Sequence, residues 1–291
     1  MSDHDDLPAR LRRHVEALAS EIGERHVWRP KALIAARDYV REQWTELGCA
    51  VQAQSYRVQG VEVENLEVEI AGGSRGEEIF IVGAHYDSVP SCPAANDNGS
   101  GVAAIIEMAR MMRNSTPAAT VRFVGFVNEE PPFFQGEAMG SVVYAKRCRE
   151  RGEKIAGMIS METIGYYSDE PNSQQYPLPG VKLIYSSVGN FIGFVSDLSS
   201  RSFLKRFSSA FRAYSDFPVE SAALPAAITG VGWSDHWSFW QEGYPAVMVT
   251  DTAPFRYEHY HRPTDTAEKL DYVRMAKVVE GVTKAVEELA G

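Results

Sequence analysis

Four short runs carry apolar residues without alternation, and each ends on an acid or a histidine. They are EEIFIVGAHYDS (Glu77 to Ser88), VRFVGFVNEE (Val121 to Glu130), IAGMISMETIG (Ile155 to Gly165) and PAVMVTD (Pro245 to Asp251). A strand exposed on one face alternates apolar and polar residues; a continuous apolar run of this length fits a strand covered on both faces. Between these runs lie segments of helical periodicity. Buried strands alternating with helices imply a three-layer α/β/α sandwich around a mixed, mostly parallel sheet. Ligands of such sheets bind at the carboxyl ends of the strands, where these polar residues fall.

The remaining chain is consistent with that frame. Two amphipathic helices are expected from Leu7 to about Leu47, split near Trp28-Arg29-Pro30, with Gly48 stopping the second. Ala50 to Val58 and Val61 to Ile70 alternate like strands with an exposed face, and Gly72-Gly73 makes a turn after them. Asn98 to Met112 reads as a loop opening into a helix, and a second helix runs from about Glu137 to Arg151. Tyr166 to Gly180 is a polar loop, Lys182 to Gly189 a strand, Asn190 to about Arg212 a helix, Gly232 to Trp240 a short helix, and Asp271 to Leu289 a closing helix. Residues 1–6 form a polar, frayed end. No repeat, linker or composition break divides residues 1–291, so a single catalytic domain is expected.

Charge narrows the function. Against 29 basic residues stand 39 acidic ones, a net −10, which argues against nucleic acid or an anionic membrane surface as the partner. No apolar run reaches the length of a membrane span, and the charged start lacks the apolar segment of a secretion signal. The expected location is the cytoplasm, with Cys49, Cys92 and Cys148 as reduced thiols. Nothing in the composition fixes an oligomeric state.

The polar strand ends carry the chemistry. They are His85 and Asp87, Glu129 and Glu130, Glu162, and Asp251, with Asp97 and His261 in loops. Singly each has an ordinary explanation: Asp97 could cap the next helix, and Asp265 with Glu268 has the spacing of a capping box. Jointly, acids gathered at one sheet edge repel one another unless cations compensate. Imidazoles with carboxylates suit zinc or a related divalent ion. A two-metal hydrolase needs ions ~3.5–4 Å apart, a bridging acid and a base beside them. Asp97, short and in a glycine-rich loop, suits the bridge. His85 and Glu162 would complete one shell, Glu130 and His261 the other, leaving Glu129 as general base. Asp87, two residues from His85 on the same strand face, would orient that imidazole. The NDNGSG loop lacks the lysine of a phosphate-binding loop. Trp233, Trp237 and Trp240 are spaced as a core-facing stripe.

GAHYDSVPSCPAANDNGSGVAA, FVNEEPPFFQGEAMGS, SMETIGYYSD, GWSDHWSFWQEGYPAVMVTDTAPFR and YHRPTDT, in this order, resemble the successive signatures of metallopeptidase family 28. This is a family of co-catalytic zinc aminopeptidases whose relatives include glutamate carboxypeptidase and glutaminyl cyclase. The resemblance runs from about Leu11 to Leu289. It implies removal of N-terminal residues from a peptide substrate, metal ligands at His85, Asp97, Glu130 and His261, and the base at Glu129. It also implies an oxyanion donor at Tyr260, and places Asp235 and His236 near the site. At the remaining ligand position the family usually has Asp; this chain has Glu162. A glutaminyl-cyclase-like acyltransferase, or a carboxypeptidase or other amidohydrolase on the same scaffold, is the alternative.

Overall fold

The computed structural model describes residues 7–178 and 180–291; the expected frayed end at 1–6 lies outside them. Helix α1 (Leu7–Glu16) continues into one widened turn (Ala17–Ile22), and α2 (Pro30–Glu46) begins with Pro30 in its first turn, where no intrahelical N–H is needed. Gly48 follows at φ +79°, a conformation glycine adopts without a Cβ penalty. Strands β1 (Gln52–Val58) and β2 (Val61–Ile70) form a hairpin through Gln59 and Gly60, both at positive φ. Then come β3 (Arg75–His85), α3 (Gly101–Met112), β4 (Ala119–Phe126), α4 (Gly140–Glu150) and β5 (Lys154–Glu162). After a long irregular segment follow β6 (Ile192–Ser196), α5 (Arg201–Tyr214), β7 (Val219–Ala223), α6 (His236–Gln241), β8 (Ala246–Thr250) and α7 (Tyr272–Ala290). Asp271 caps α7 by accepting from the Arg274 N–H at 2.9 Å.

The eight strands make one mixed sheet in the order β1-β2-β4-β3-β5-β8-β6-β7. The central four, β4, β3, β5 and β8, run parallel, so their carboxyl ends share one edge. Their unalternating apolar sequence has the expected cause. In β3, Phe80, Val82 and Ala84 enter the large core that also includes α1, α2, α3, α5 and α7, while Ile79 and Ile81 enter a smaller core with α4 and α6. The three-layer sandwich is therefore present, with the layers unequally filled.

Two stretches differ from expectation. Lys182 to Gly189 forms no strand, and the strand lies downstream at Ile192–Ser196, inside the segment expected to be helical. The aromatic and β-branched run Phe191 to Val195 suits a strand, and Phe194 packs against Phe207 (4.7 Å between ring centroids) and Phe211 (5.0 Å) of α5. Helix α5 starts only after Asp197 accepts from the Ser200 N–H at 2.8 Å. Strand β7, VESAA, has no β-former beyond Val219; pairing with β6 imposes its conformation. Strand β2 is also more buried than its alternation implies. Its acids Glu64 and Glu67 are neutralised by arginines, Glu64 by Arg41 and Glu67 by Arg147 at 2.8 Å.

One buried acid ties the helical layer together. Glu107, in the middle of α3, is fully buried and contacts Arg10 (2.7 Å), His14 (3.0 Å) and Arg110 (3.1 Å). Burial raises its pKa, but hydrogen bonds from His14 and Arg10 outweigh that and hold it at about 2. A carboxyl depressed from about 4.5 to about 2 contributes stability that is complete above its unfolded value and is lost as pH falls towards 2. The contribution at neutral pH is on the order of 3 kcal/mol. Urea unfolding should show Glu107→Gln destabilised by about that much at pH 7, with the gap at least halved at pH 3. A gap independent of pH would show that the charge of Glu107 contributes nothing.

Candidate metal centre

The parallel strands deliver four of the side chains. His85 is the last residue of β3 and Glu162 the last of β5, while Glu129 and Glu130 follow β4 after two residues. Asp97 comes from the turn before α3, and His261, at φ +57°, from the segment between β8 and α7. His85 Nε2 stands 3.4 Å from Asp97 Oδ1, 3.3 Å from Glu162 Oε2 and 3.7 Å from Glu129 Oε2. His261 Nε2 stands 2.9 Å from Asp97 Oδ2 and 3.3 Å from Glu130 Oε2. Asp97 thus offers one oxygen to a His85–Glu162 pair and the other to a His261–Glu130 pair. His85, Asp97, Glu129, Glu130 and Glu162 are buried; the His261 side chain is 32% exposed and marks the open side.

This donor set fits divalent ions. Ligand-capable atoms of His85, Asp97 and Glu130 all lie within 4.8 Å of one another. Both ring nitrogens of His85 and Oε1 of Glu130 are buried without a well-formed hydrogen bond, and buried polar atoms are seldom left so. The electrostatics agree. Burial drives Glu129 well above the carboxylate range, with His85 opposing and Glu130 and Glu162 adding; burial and Asp97 push Glu130 up to about 7. Asp97 is held low despite burial by the facing imidazoles of His261 and His85. The imidazoles compensate: His261 rises to about 10, burial opposing and Asp97 and Glu130 prevailing, and His85 rises well above its usual value against burial through Glu129 and Glu162. The raised imidazoles answer an excess of buried negative charge, the charge a bound cation would offset.

The surrounding residues hold the cluster in place. The Asp87 carboxylate accepts from the backbone N–H of Glu129 and of Glu130, each at 3.1 Å, and its Oδ1 lies 3.5 Å from His85 Nδ1. Asp87 therefore fastens the Glu-Glu pair at least as firmly as it faces the imidazole. Asp97 does not cap α3; Asn98 Oδ1 takes the Gly101 N–H instead, at 3.1 Å. Nor does Asp265 begin a capping box. It is buried, and its two oxygens accept from the Asn96 N–H (2.9 Å) and the Asp97 N–H (3.1 Å), with the Tyr257 hydroxyl donating as well. Those N–H groups are engaged, which leaves no phosphate cradle in the NDNGSG loop. Asn96 spans Asp251 (2.9 Å) and the Gly165 N–H (2.9 Å), so Asp251 braces the loop and stands outside the cluster. The Gly101 backbone packs so closely that a Cβ would come within 2.3 Å of the Met161 carbonyl.

Arg25 and Ser234 also belong to this scaffold. The guanidinium of Arg25 is fully buried and donates to the carbonyls of Tyr86 (2.6 Å), Pro93 (2.7 Å) and Ala94 (2.9 Å), joining β3 to the Asp97 turn. Ser234 donates to Glu162 Oε2 at 2.7 Å. In the same segment Asp235 is buried with both oxygens unpartnered, and burial pushes it to about 7 although His85 opposes. His236 is structural: its Nε2 meets the Val231 carbonyl at 2.8 Å, its ring packs edge-on against Trp240, and burial lowers its pKa to about 4. The tryptophan stripe divides, Trp240 packing on the smaller core and Trp233 remaining 43% exposed. Tyr260 stacks on the His261 ring at 4.0 Å, and burial with Asp97 and Glu130 keeps its hydroxyl protonated.

A sheet whose parallel central strands gather buried carboxylates and imidazoles at their carboxyl ends offers a site fit for divalent ions, and comparison with known proteins gives the family. The model described as Peptidase family M28 matches residues 65–286, and the chain belongs to that family. It is 36% identical over 283 residues to the YfbL protein of Escherichia coli (strain K12), covering 94% of this chain and 86% of that one. It is 26% identical over 230 residues to leucine aminopeptidase 1 of Trichophyton rubrum, covering 74% of this chain and 56% of the relative's length. The zinc aminopeptidase BSAP of Bacillus subtilis superposes with a TM-score of 0.77 at 15% identity, over 97% of this chain and 95% of the other, a likeness of fold.

Because Asp265 holds the backbone on which Asp97 sits, its effect should appear as metal affinity. Asp265→Asn can accept only one of the two N–H groups, and zinc binding measured against a competing chelator should weaken by about 10- to 100-fold. Unchanged zinc affinity in a folded Asp265→Asn protein would show that the clamp does not set the ligand geometry.

Proposed function

We propose that this chain is an aminopeptidase using two divalent ions, zinc by the chemistry of the donors. His85, Asp97 and Glu162 would hold one, and Asp97, Glu130 and His261 the other. The observation that carries this reading is the division of the Asp97 carboxylate between two histidine–glutamate pairs. Ions bound there supply Lewis acidity towards a carbonyl oxygen and towards water.

The protein's own groups handle the proton and the charge. Glu129, the carboxylate left outside both pairs, takes the proton of the attacking water and passes it to the departing amine. Burial among other acids raises its proton affinity above that of an ordinary glutamate, which suits a proton acceptor. Tyr260, protonated and fixed against His261, donates to the developing oxyanion. Glu162 is longer by one methylene than the aspartate usual at its position, and the hydrogen bond from Ser234 fixes the added reach. Attack on the first peptide bond is supported by the named activity of the Trichophyton relative.

Matched peptides with free and acetylated N-termini, assayed with and without a chelator, test the reading. Cleavage should be confined to free N-termini and abolished by chelation; equal cleavage of blocked peptides would overturn the aminopeptidase assignment. Glu129→Ala should keep its zinc content while kcat falls by about 10²- to 10⁴-fold, the usual contribution of a general base. Normal turnover in that variant would remove Glu129 from the mechanism.

A further inference from the structure

A cavity of about 130 Å³, in the size range of one that admits benzene, adjoins the metal centre, with Glu162 and Tyr260 in its wall. Its floor is the sheet face turned away from α5. Phe194 packs on α5 and Ser221 meets Ser208 there at 3.0 Å, so the alternating residues Val195, Glu220 and Ala222 face the cavity, beside Met248 and the side-chain-free Gly193. Most of this lining is apolar or aromatic, and Glu220 is the acid in it besides Glu162. Among the described residues the Glu220 carboxylate makes no hydrogen bond or ion pair. Of the three tyrosines in the lining, two are engaged elsewhere: the Tyr176 hydroxyl donates to the Ser186 carbonyl (2.7 Å) and the Tyr185 hydroxyl to the Ser221 carbonyl (3.3 Å). Burial and the Glu220 charge push Tyr176 up to about 12, placing that charge at the aromatic wall. Of the cations nearby, Arg256 is bound to Gln174 (2.8 Å) and the Phe191 carbonyl (2.8 Å), over the ring of Phe191, and Arg212 on the α5 side donates to the Val219 carbonyl (3.3 Å) and the Ser221 hydroxyl (3.5 Å); neither is in the lining.

We infer that this cavity selects lysine or arginine as the residue removed, with Glu220 as the specificity-determining counter-ion; the inference rests on the aminopeptidase reading. An apolar stem can lie along Val195, Met248 and Phe191 while its cationic head meets the unpaired carboxylate and the tyrosine faces. A substrate with an acidic side chain would meet only like charge, and a purely apolar one would leave Glu220 unpaired.

The test compares lysyl and norleucyl peptides, which differ by the ammonium group, on the zinc-loaded enzyme. kcat/KM should favour lysyl by about tenfold or more. Glu220→Gln should remove that preference by lowering the lysyl value while leaving norleucyl hydrolysis within about twofold. Equal or better norleucyl hydrolysis by the wild type, or an equal effect of Glu220→Gln on both substrates, would overturn the inference. Calorimetry with free lysine and norleucine separates the two readings without turnover. Lysine binding that depends on Glu220 upholds the cavity's selectivity even if no peptide is cleaved, and norleucine binding as tightly as lysine sinks it even if peptides are.

Discussion

Crowding of like charge at a buried sheet edge is the constraint on which this structure depends. Asp97, Glu129, Glu130 and Glu162 are buried and each lies within ion-pair reach of His85 or His261, Asp97 of both. Such an arrangement repels itself unless its geometry is imposed and its charge opposed. Opposition comes from the imidazoles, and from the buried Arg25, whose charge interacts with Asp87, Asp265 and Asp97. Imposition comes from backbone hydrogen bonds that leave the acids no freedom to separate.

Those bonds follow one design. The two outer carboxylates, Asp87 and Asp265, each span two consecutive N–H groups of the chain that carries the ligands, Asp87 at Glu129-Glu130 and Asp265 at Asn96-Asp97. Side chains of Asn96, Asn98 and Ser100 then bind the Asp97 turn to residues 161–165 at the end of β5. Position is thereby transmitted from the rigid parallel strands to a loop residue. The same sheet edge supplies the wall of the neighbouring cavity, so the acid–imidazole cluster and the cavity share one support.

Much of this is legible in the amino-acid sequence. The unalternating apolar runs require strands covered on both faces, and the order of strand and helix signals requires parallel neighbours, because parallel strands need crossover connections. His85, Glu129, Glu130 and Glu162 stand out because polar residues at the end of such runs have no structural use there. Less legible are features set by neighbours. The run Phe191 to Val195 is strand because β8 and α5 receive it, and β7 has almost no strand signal of its own. Arg25 sits in a charged segment that reads as surface. Ser234 falls within a short expected helix and Asp265 reads locally as a helix cap, for the residues they serve are 72 and 168 or more positions away.

By itself, then, the sequence determined the layer architecture, the edge of the sheet that carries chemistry, and the kinds of atom gathered there. Periodicity and strand-end composition are local properties, and burial of apolar area enforces them. Only the tertiary structure decided which atoms face which: that Asp97 turns one oxygen to each histidine, that Asp265 holds a turn, and that Glu220 faces a cavity with no partner among the described residues. These are contacts between residues far apart in the chain. Hydrogen bonds and charges act over a few ångströms, and only the folded chain sets those distances.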